Sequence, residues 1–175
     1  RMGGGDKNQL NLGGKSVLHH ILDRVERAGA PTAINANGDP LRFEAYGLPV
    51  IADVVDGYAG PLAGILTGLE WLAAYHPNHT HMISLATDAP FLPPDLAHRL
   101  YARLGSDAEI VQAQSYGQRH PVFAIWPVAL VADLRQAVCN EGVRKIDHFT
   151  RRHRCGVVAF SGTPDPFLNI NRPED

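Results

Sequence analysis

The residues able to do chemistry in this 175-residue chain fall at the ends of short apolar runs. Residues 82–86 are mostly apolar and too few for a helix, and Thr87, Asp88 and Pro90 follow at once. Such a run predicts a buried strand reaching Asp88, because Pro90 cannot donate to a ladder. Asp88 then stands at the carboxyl end of its strand, the edge at which open α/β sheets bind ligands. A carboxylate there is a hard oxygen ligand, suited to a magnesium ion that also holds substrate phosphates. Alone, an Asp ahead of a Pro is more simply a turn cap. Two further runs repeat the arrangement, however. Residues 32–35 end in Asn35, and residues 49–53 end in Asp53. In a parallel sheet these three polar groups share one edge.

Two glycine clusters could serve the same edge. Arg1, Gly3, Gly4, Gly5 and Lys7 open the chain. Successive glycines let backbone N–H groups converge on an anion, and Lys7 and Arg1 add charge. A flexible terminus would have the same composition. Gly60-Pro61-Leu62-Ala63-Gly64 leads straight into a helix carrying Ile65, Leu66, Leu69 and Leu72. The first N–H groups of a helix have no internal partner, so this start suits an anion or a base; a plain loop–helix junction would also fit. No Ser-His-Asp or Cys-His arrangement stands out. His76, His79 and His81 read as a polar surface loop at the opposite edge, and the neighbours His19 and His20 point apart on a helix. Cys139 and Cys155 form no metal-ligand pattern and read as free thiols of a reducing compartment.

The positioning elements follow from periodicity. Ser16 caps a helix with Val17, Leu18, Ile21, Leu22 and Val25 on one face, stopped by Gly29. A helix follows Asp95 and ends at Gly105. Residues 108–114 form a strand, residues 116–118 a hairpin turn, and residues 120–126 the returning strand. Pro121 places that strand at an edge or near its start. Helices over residues 127–138 and 145–152, a strand over 156–161, and an extended segment 167–171 complete the chain. In that last segment Asn169 and Asn171 share a face. Alternating strands and helices predict a three-layer, doubly wound α/β domain with a mainly parallel sheet and a small antiparallel addition.

Composition narrows the function. Lys and Arg total 16 against 18 Asp and Glu, with no long basic run, so no nucleic-acid surface is expected. The densest basic patch, residues 151–154, reads as a solvated helix end. No apolar stretch can span a bilayer and no signal peptide is visible, which predicts a cytoplasmic protein without membrane contact.

Arg1-Met2-Gly3-Gly4 with Lys7, Asn35-Ala36-Asn37, Gly60-Pro61-Leu62-Ala63-Gly64, Asp88 with Pro90-Phe91, Pro93-Pro94-Asp95-Leu96, His120-Pro121, and Asn169-Ile170-Asn171 with Pro173-Glu174-Asp175 occur in this order. Together they resemble the molybdenum cofactor guanylyltransferases over nearly the whole chain. Ser16 departs from the proline often found there, which alters only a helix start. The resemblance implies a Rossmann-like nucleotidyltransferase fold. It also implies transfer of GMP from GTP to molybdenum-bound molybdopterin, with magnesium (Mg2+) and release of pyrophosphate. By position, Gly3, Gly4 and Lys7 would hold the GTP phosphates with Arg1 in support. Asn35, Asp53, Gly60 and Gly64 would line the nucleotide pocket, and Asp88 would bind the metal. Arg144, Asn169 and Asn171 would face the pterin. Partners would be GTP, molybdopterin and proteins that deliver it or receive the product.

The resemblance further implies one nucleotidyltransferase domain over residues 1–175, its first strand ahead of residue 1 and a last helix beyond residue 175. A phosphate nucleophile is already ionised at neutral pH, so no general base is required. Lys7 and the loop amides would stabilise charge on the leaving pyrophosphate; Asp53 and His120 are possible supporting groups. A cytidylyl or sugar-phosphate nucleotidyltransferase, or a non-catalytic molybdopterin-binding chaperone, are the alternatives.

Overall fold

The computed structural model describes residues 11–25, 30–55, 57 and 60–170. Arg1, Gly3, Gly4, Lys7 and Asn171, together with the predicted helix stop at Gly29, lie outside the described residues. The described residues open on an unpredicted hairpin, β1 (Asn11–Leu12) with β2 (Lys15–Ser16). It turns through Gly13 and Gly14, whose φ values of 60° and 92° only glycine adopts readily. Helix α1 (Val17–Arg24) follows, and Ser16 caps it as expected, its hydroxyl accepting from the His19 N–H at 3.2 Å.

Strands β3 (Ile34–Asn35) and β4 (Val50–Ile51) pair in parallel, each shorter than expected. Between them a 3-10 helix (Pro40–Tyr46), capped by Asp39, buries Phe43 with Leu18, Leu22 and Ile34. Helix α2 (Pro61–Tyr75) leads to β5 (His81–Ser84), and α3 (Leu96–Ala102) to the hairpin of β6 (Ile110–Ser115) and β7 (Gln118–Pro127). Tyr116 and Gly117 make its tight turn, with φ 47° and 81°. A helical run through α4 (Val131–Arg135) ends in a π-turn (Gln136–Asn140). Helix α5 (Ile146–Thr150) and strand β8 (Cys155–Phe160) follow.

The four-stranded sheet has the order β5-β7-β6-β8. Strand β7 is antiparallel to both neighbours and β6 is parallel to β8, so β5, β6 and β8 run one way and β7 alone opposes them. The pleat sends alternate residues to opposite faces. Val111, Ala113, Phe123 and Ile125 pack with Val17, Ile21, Leu96 and Leu100 of α1 and α3. Ile110, Ala124 and Trp126 pack with Leu62, Leu66, Leu134 and Phe149 of α2, α4 and α5. Helices therefore cover both faces, giving the three layers predicted.

Three expectations need correction. Asn35 and Asp53 do not share a sheet with the strand before Asp88 among the described residues, because β3 and β4 pair only with each other. The strand before Asp88 ends early: Ser84 is its last residue, and Asp88 lies in the turn beyond. At that last position the Ser84 hydroxyl accepts from Trp126 Nε1 at 2.8 Å and donates to the Val122 carbonyl at 2.5 Å. Pro121 stands near the start of its strand, as expected, as the fourth residue of the ten in the internal strand β7. It is tolerated because β6 and β7 slip register between Gln112, opposite Ala124, and Ala113, opposite His120. Residues 166–170 are irregular and begin with a turn, because the Leu168 N–H bonds back to the Asp165 carbonyl at 3.1 Å.

Candidate functional site

Among the described residues β3 and β5 are each the edge strand of a separate sheet, and an open apolar cavity lies between them. Apolar side chains line its body, among them Leu22, Ile34, Ile65, Met82 and Ile83, while Asn35, Asp53, Gly60, Gly64 and Asp88 supply polar or open wall. Those five are the described residues assigned to the nucleotide and metal from sequence. Asn35, Asp53 and Gly64 meet directly, since a Cβ on Gly64 would fall 2.5 Å from Asn35 Oδ1 and 3.9 Å from Asp53 Oδ1.

Asn35 and Asp53 form one rigid unit. Asn35 Nδ2 donates to Asp53 Oδ1 at 3.0 Å and to the Ile51 carbonyl at 3.0 Å. Asn37 Nδ2 donates to Asp53 Oδ2 at 2.8 Å, and Asn37 Oδ1 accepts the Asp53 N–H at 2.8 Å. Both oxygens of the Asp53 carboxylate are thus engaged by amides, which makes Asp53 the holder of the two asparagines. Asn37 was not singled out from sequence as a site residue; its spacing of two from Asn35 on an extended segment was the available signal. Thr67 was missed as well. Its hydroxyl donates to the Ala63 carbonyl and accepts the Val54 N–H at 2.9 Å, tying the segment after Asp53 to α2.

Gly60 caps α2 with φ 77°, and Pro61 occupies the first helical position. A Cβ on Gly60 would come within 3.3 Å of the Arg144 carbonyl, so the loop before α5 rests against the start of α2. The exposed Arg144 side chain turns the other way: its Nη1 donates to the Val138 carbonyl at 2.7 Å and its neighbour's, Val143, at 3.1 Å. It caps the end of the π-turn in this conformation.

Asp88 is half-buried where the cavity meets β5, and its carbonyl accepts the Ile170 N–H at 2.7 Å. That bond carries the exposed Asn169 to the same edge. Among the described residues no group of three or more His, Cys, Asp or Glu converges to form a complete metal cage. Asp88 is the carboxylate that the sequence reading assigned to a cation. One carboxylate completed by phosphate oxygens and water fits magnesium, which keeps several waters and seldom takes an all-protein cage.

The sequence showed no Ser-His-Asp arrangement, yet the structure brings Ser115, His120 and Asp165 together. Ser115 Oγ lies 2.8 Å from His120 Nε2 and 2.8 Å from Asp165 Oδ1. The long separation of Asp165 from the hairpin hid this from any local pattern.

An α/β sheet with polar strand ends around a glycine-lined helix start defines a nucleotide-handling protein. The sequence matches the MobA-like NTP transferase domain over residues 1–155, and the chain belongs to that family. It is 50% identical over 177 residues to a molybdenum cofactor guanylyltransferase of Rhodopseudomonas palustris, covering all of this chain and 84% of the relative. A relative of the same name from Bradyrhizobium is 48% identical with the same coverage. The solved molybdopterin-guanine dinucleotide biosynthesis protein A of Archaeoglobus fulgidus shares the fold, with a TM-score of 0.72 at 20% identity over 98% of this chain and 87% of that one. A Mycobacterium tuberculosis protein solved as a complex with manganese has a TM-score of 0.67 at 23% identity, over 91% and 84%. Nucleotidyltransferases of this kind generally depend on a divalent cation. Among the described residues no helix is long and apolar enough to cross a membrane.

Proposed function

We propose that this protein transfers GMP from GTP to molybdenum-bound molybdopterin, forming molybdopterin guanine dinucleotide and pyrophosphate. The observation that supports this is the direct meeting of Asn35, Asp53 and Gly64 beside the start of α2, in a chain of the MobA-like family. The Asn35–Asp53–Asn37 unit and the start of α2 receive the nucleotide, and the Gly64 backbone lets it approach. Lys7, Gly3 and Gly4, with Arg1 in support, hold the phosphates. Asn169 and Asn171 face the pterin, and Arg144 swings from the π-turn to its phosphate. When bound at Asp88, Mg2+ offsets phosphate charge and templates the two reactants. No side chain is needed to remove a proton, because the attacking phosphate oxygen is already ionised. The protein's work is to align two anions and stabilise charge on the departing pyrophosphate.

We read residues 1–175 as one nucleotidyltransferase domain acting in the cytoplasm, with partners that deliver molybdopterin and molybdoenzymes that take the product. A pyrophosphate-release assay with GTP, magnesium and molybdenum-loaded molybdopterin tests the reading. Release should require all three. Release with CTP instead would identify a cytidylyl enzyme, and none at all a carrier.

A further inference from the structure

Ser115, the last residue of β6, is 1% exposed. Its hydroxyl lies 2.8 Å and 3.0 Å from the two oxygens of Asp165 and 2.8 Å from His120 Nε2. A hydroxyl has one proton to give, and an ionised carboxylate can only accept. The proton therefore goes to Asp165, and the Ser115 oxygen accepts the Nε2–H of His120. Donation runs from His120 to Ser115 to Asp165. A nucleophilic serine requires the opposite sense, with its proton passed to imidazole. Burial and this polarity make Ser115 a structural relay.

What the relay holds is the segment that closes the site. Asp165 Oδ1 accepts the Phe167 N–H at 2.9 Å. The Phe167 ring, 4% exposed, lies 4.7 Å from the His120 ring at an interplanar angle of 33°, with Phe123 at 4.9 Å and Phe160 at 5.6 Å. Ile170, 4% exposed, then bonds to the Asp88 carbonyl. Asn169 lies between these anchors. Burial also pushes the His120 imidazole below its ordinary range, against the pull of Asp165, which favours the neutral ring.

We propose that His120 is a positioning residue for guanylyl transfer: through Ser115 and Asp165 it braces residues 165–170 against Asp88 and so presents Asn169 to the acceptor. The proposal rests on Asn169 facing the acceptor, as argued above, and two measurements separate the brace from that assignment. His120→Phe keeps a ring over Phe167 but lacks the donor; His120→Gln keeps a donor without the ring; Ser115→Ala breaks the relay at its centre.

In the full-length protein, amide exchange at Phe167 and Ile170 should quicken by about tenfold in His120→Phe and Ser115→Ala. Transfer to molybdopterin should fall about 10- to 100-fold, as a small misplacement near a reacting pair does, with GTP affinity within about twofold of wild type. His120→Gln should recover part of both losses. Unchanged amide exchange in both relay variants would overturn the brace. Faster exchange with full transfer activity would keep the brace and overturn its link to the acceptor. Equal losses of GTP affinity and transfer would also overturn the proposal, since the network would then serve the nucleotide.

Discussion

Gly64 and Asn35 are in contact that leaves no room for a methyl group: a Cβ on Gly64 would fall 2.5 Å from Asn35 Oδ1. Asn35 cannot retreat freely, because its amide nitrogen holds both Asp53 and the Ile51 carbonyl. Gly64→Ala must shift α2 or break one of those bonds, each worth about 1 kcal/mol. GTP should bind about tenfold more weakly, with a small fall in melting temperature. Calorimetric titration of the variant checks this; wild-type affinity would show that the asparagine moves at no cost.

Asp88→Asn replaces the carboxylate by a group of nearly the same shape. The fold should persist, since the bond that engages residue 88 from Ile170 uses its main chain. Turnover should drop by about 100-fold or more as charge stabilisation at the phosphates is lost. Melting curves and magnesium titrations of rate decide; normal magnesium-dependent turnover would remove Asp88 from the metal site.

Base selectivity can be read from binding alone. A site built to hydrogen-bond guanine leaves groups unpaired with cytosine, so CTP should bind at least about 100-fold more weakly than GTP in the presence of magnesium. Comparable affinities would move the protein toward the cytidylyl enzymes.

Arg144 and Asn169 should separate the two sides of the site. Asn169→Ala should leave GTP affinity unchanged and lower transfer to molybdopterin. Arg144→Ala should do the same and also destabilise the fold by about 1 kcal/mol, because its guanidinium caps the Val138 carbonyl. Loss of GTP binding in an otherwise folded Arg144→Ala would assign this loop, which rests on Gly60, to the nucleotide.

His81 and His120 are both held below the ordinary imidazole value of 6.5 by burial, with Asp165 opposing at His120. In acid the unfolded chain therefore takes up protons that the folded chain resists. Stability should rise with pH up to about 6.5 and level off above it, as far as these two groups decide. The urea midpoint should be lower at about pH 5.5 than at about pH 7.5, and His81→Gln should narrow the gap. An equal gap in that variant would mean that His81 titrates normally.

The candidate site was legible in sequence where its residues follow local rules. Asn35, Asp53 and Asp88 were found because short apolar runs stop at them, and Gly60 and Gly64 because glycines open a helix. The Ser16 cap was found in the same way. The strand before Asp88 was drawn too long because the apolar run continues through Leu85 and Ala86 while the pairing with β7 stops at Ser84. Pro121 was legible as close to a strand start, but the register slip of β6 and β7 beside it depends on the pairing and not on either strand alone. Asp165 gave no local signal, since its partners Ser115 and His120 belong to a hairpin that only the folded sheet brings near.

The bond from the Ile170 N–H to the Asp88 carbonyl uses no side chain from either residue. In a saturation scan of position 170, apolar replacements of similar bulk should score as neutral, and proline, which lacks the N–H, should stand apart from them. Drift among such residues leaves the link untouched. Two distant stretches of chain can thus diverge in wording while their alignment across the reacting groups is inherited unchanged.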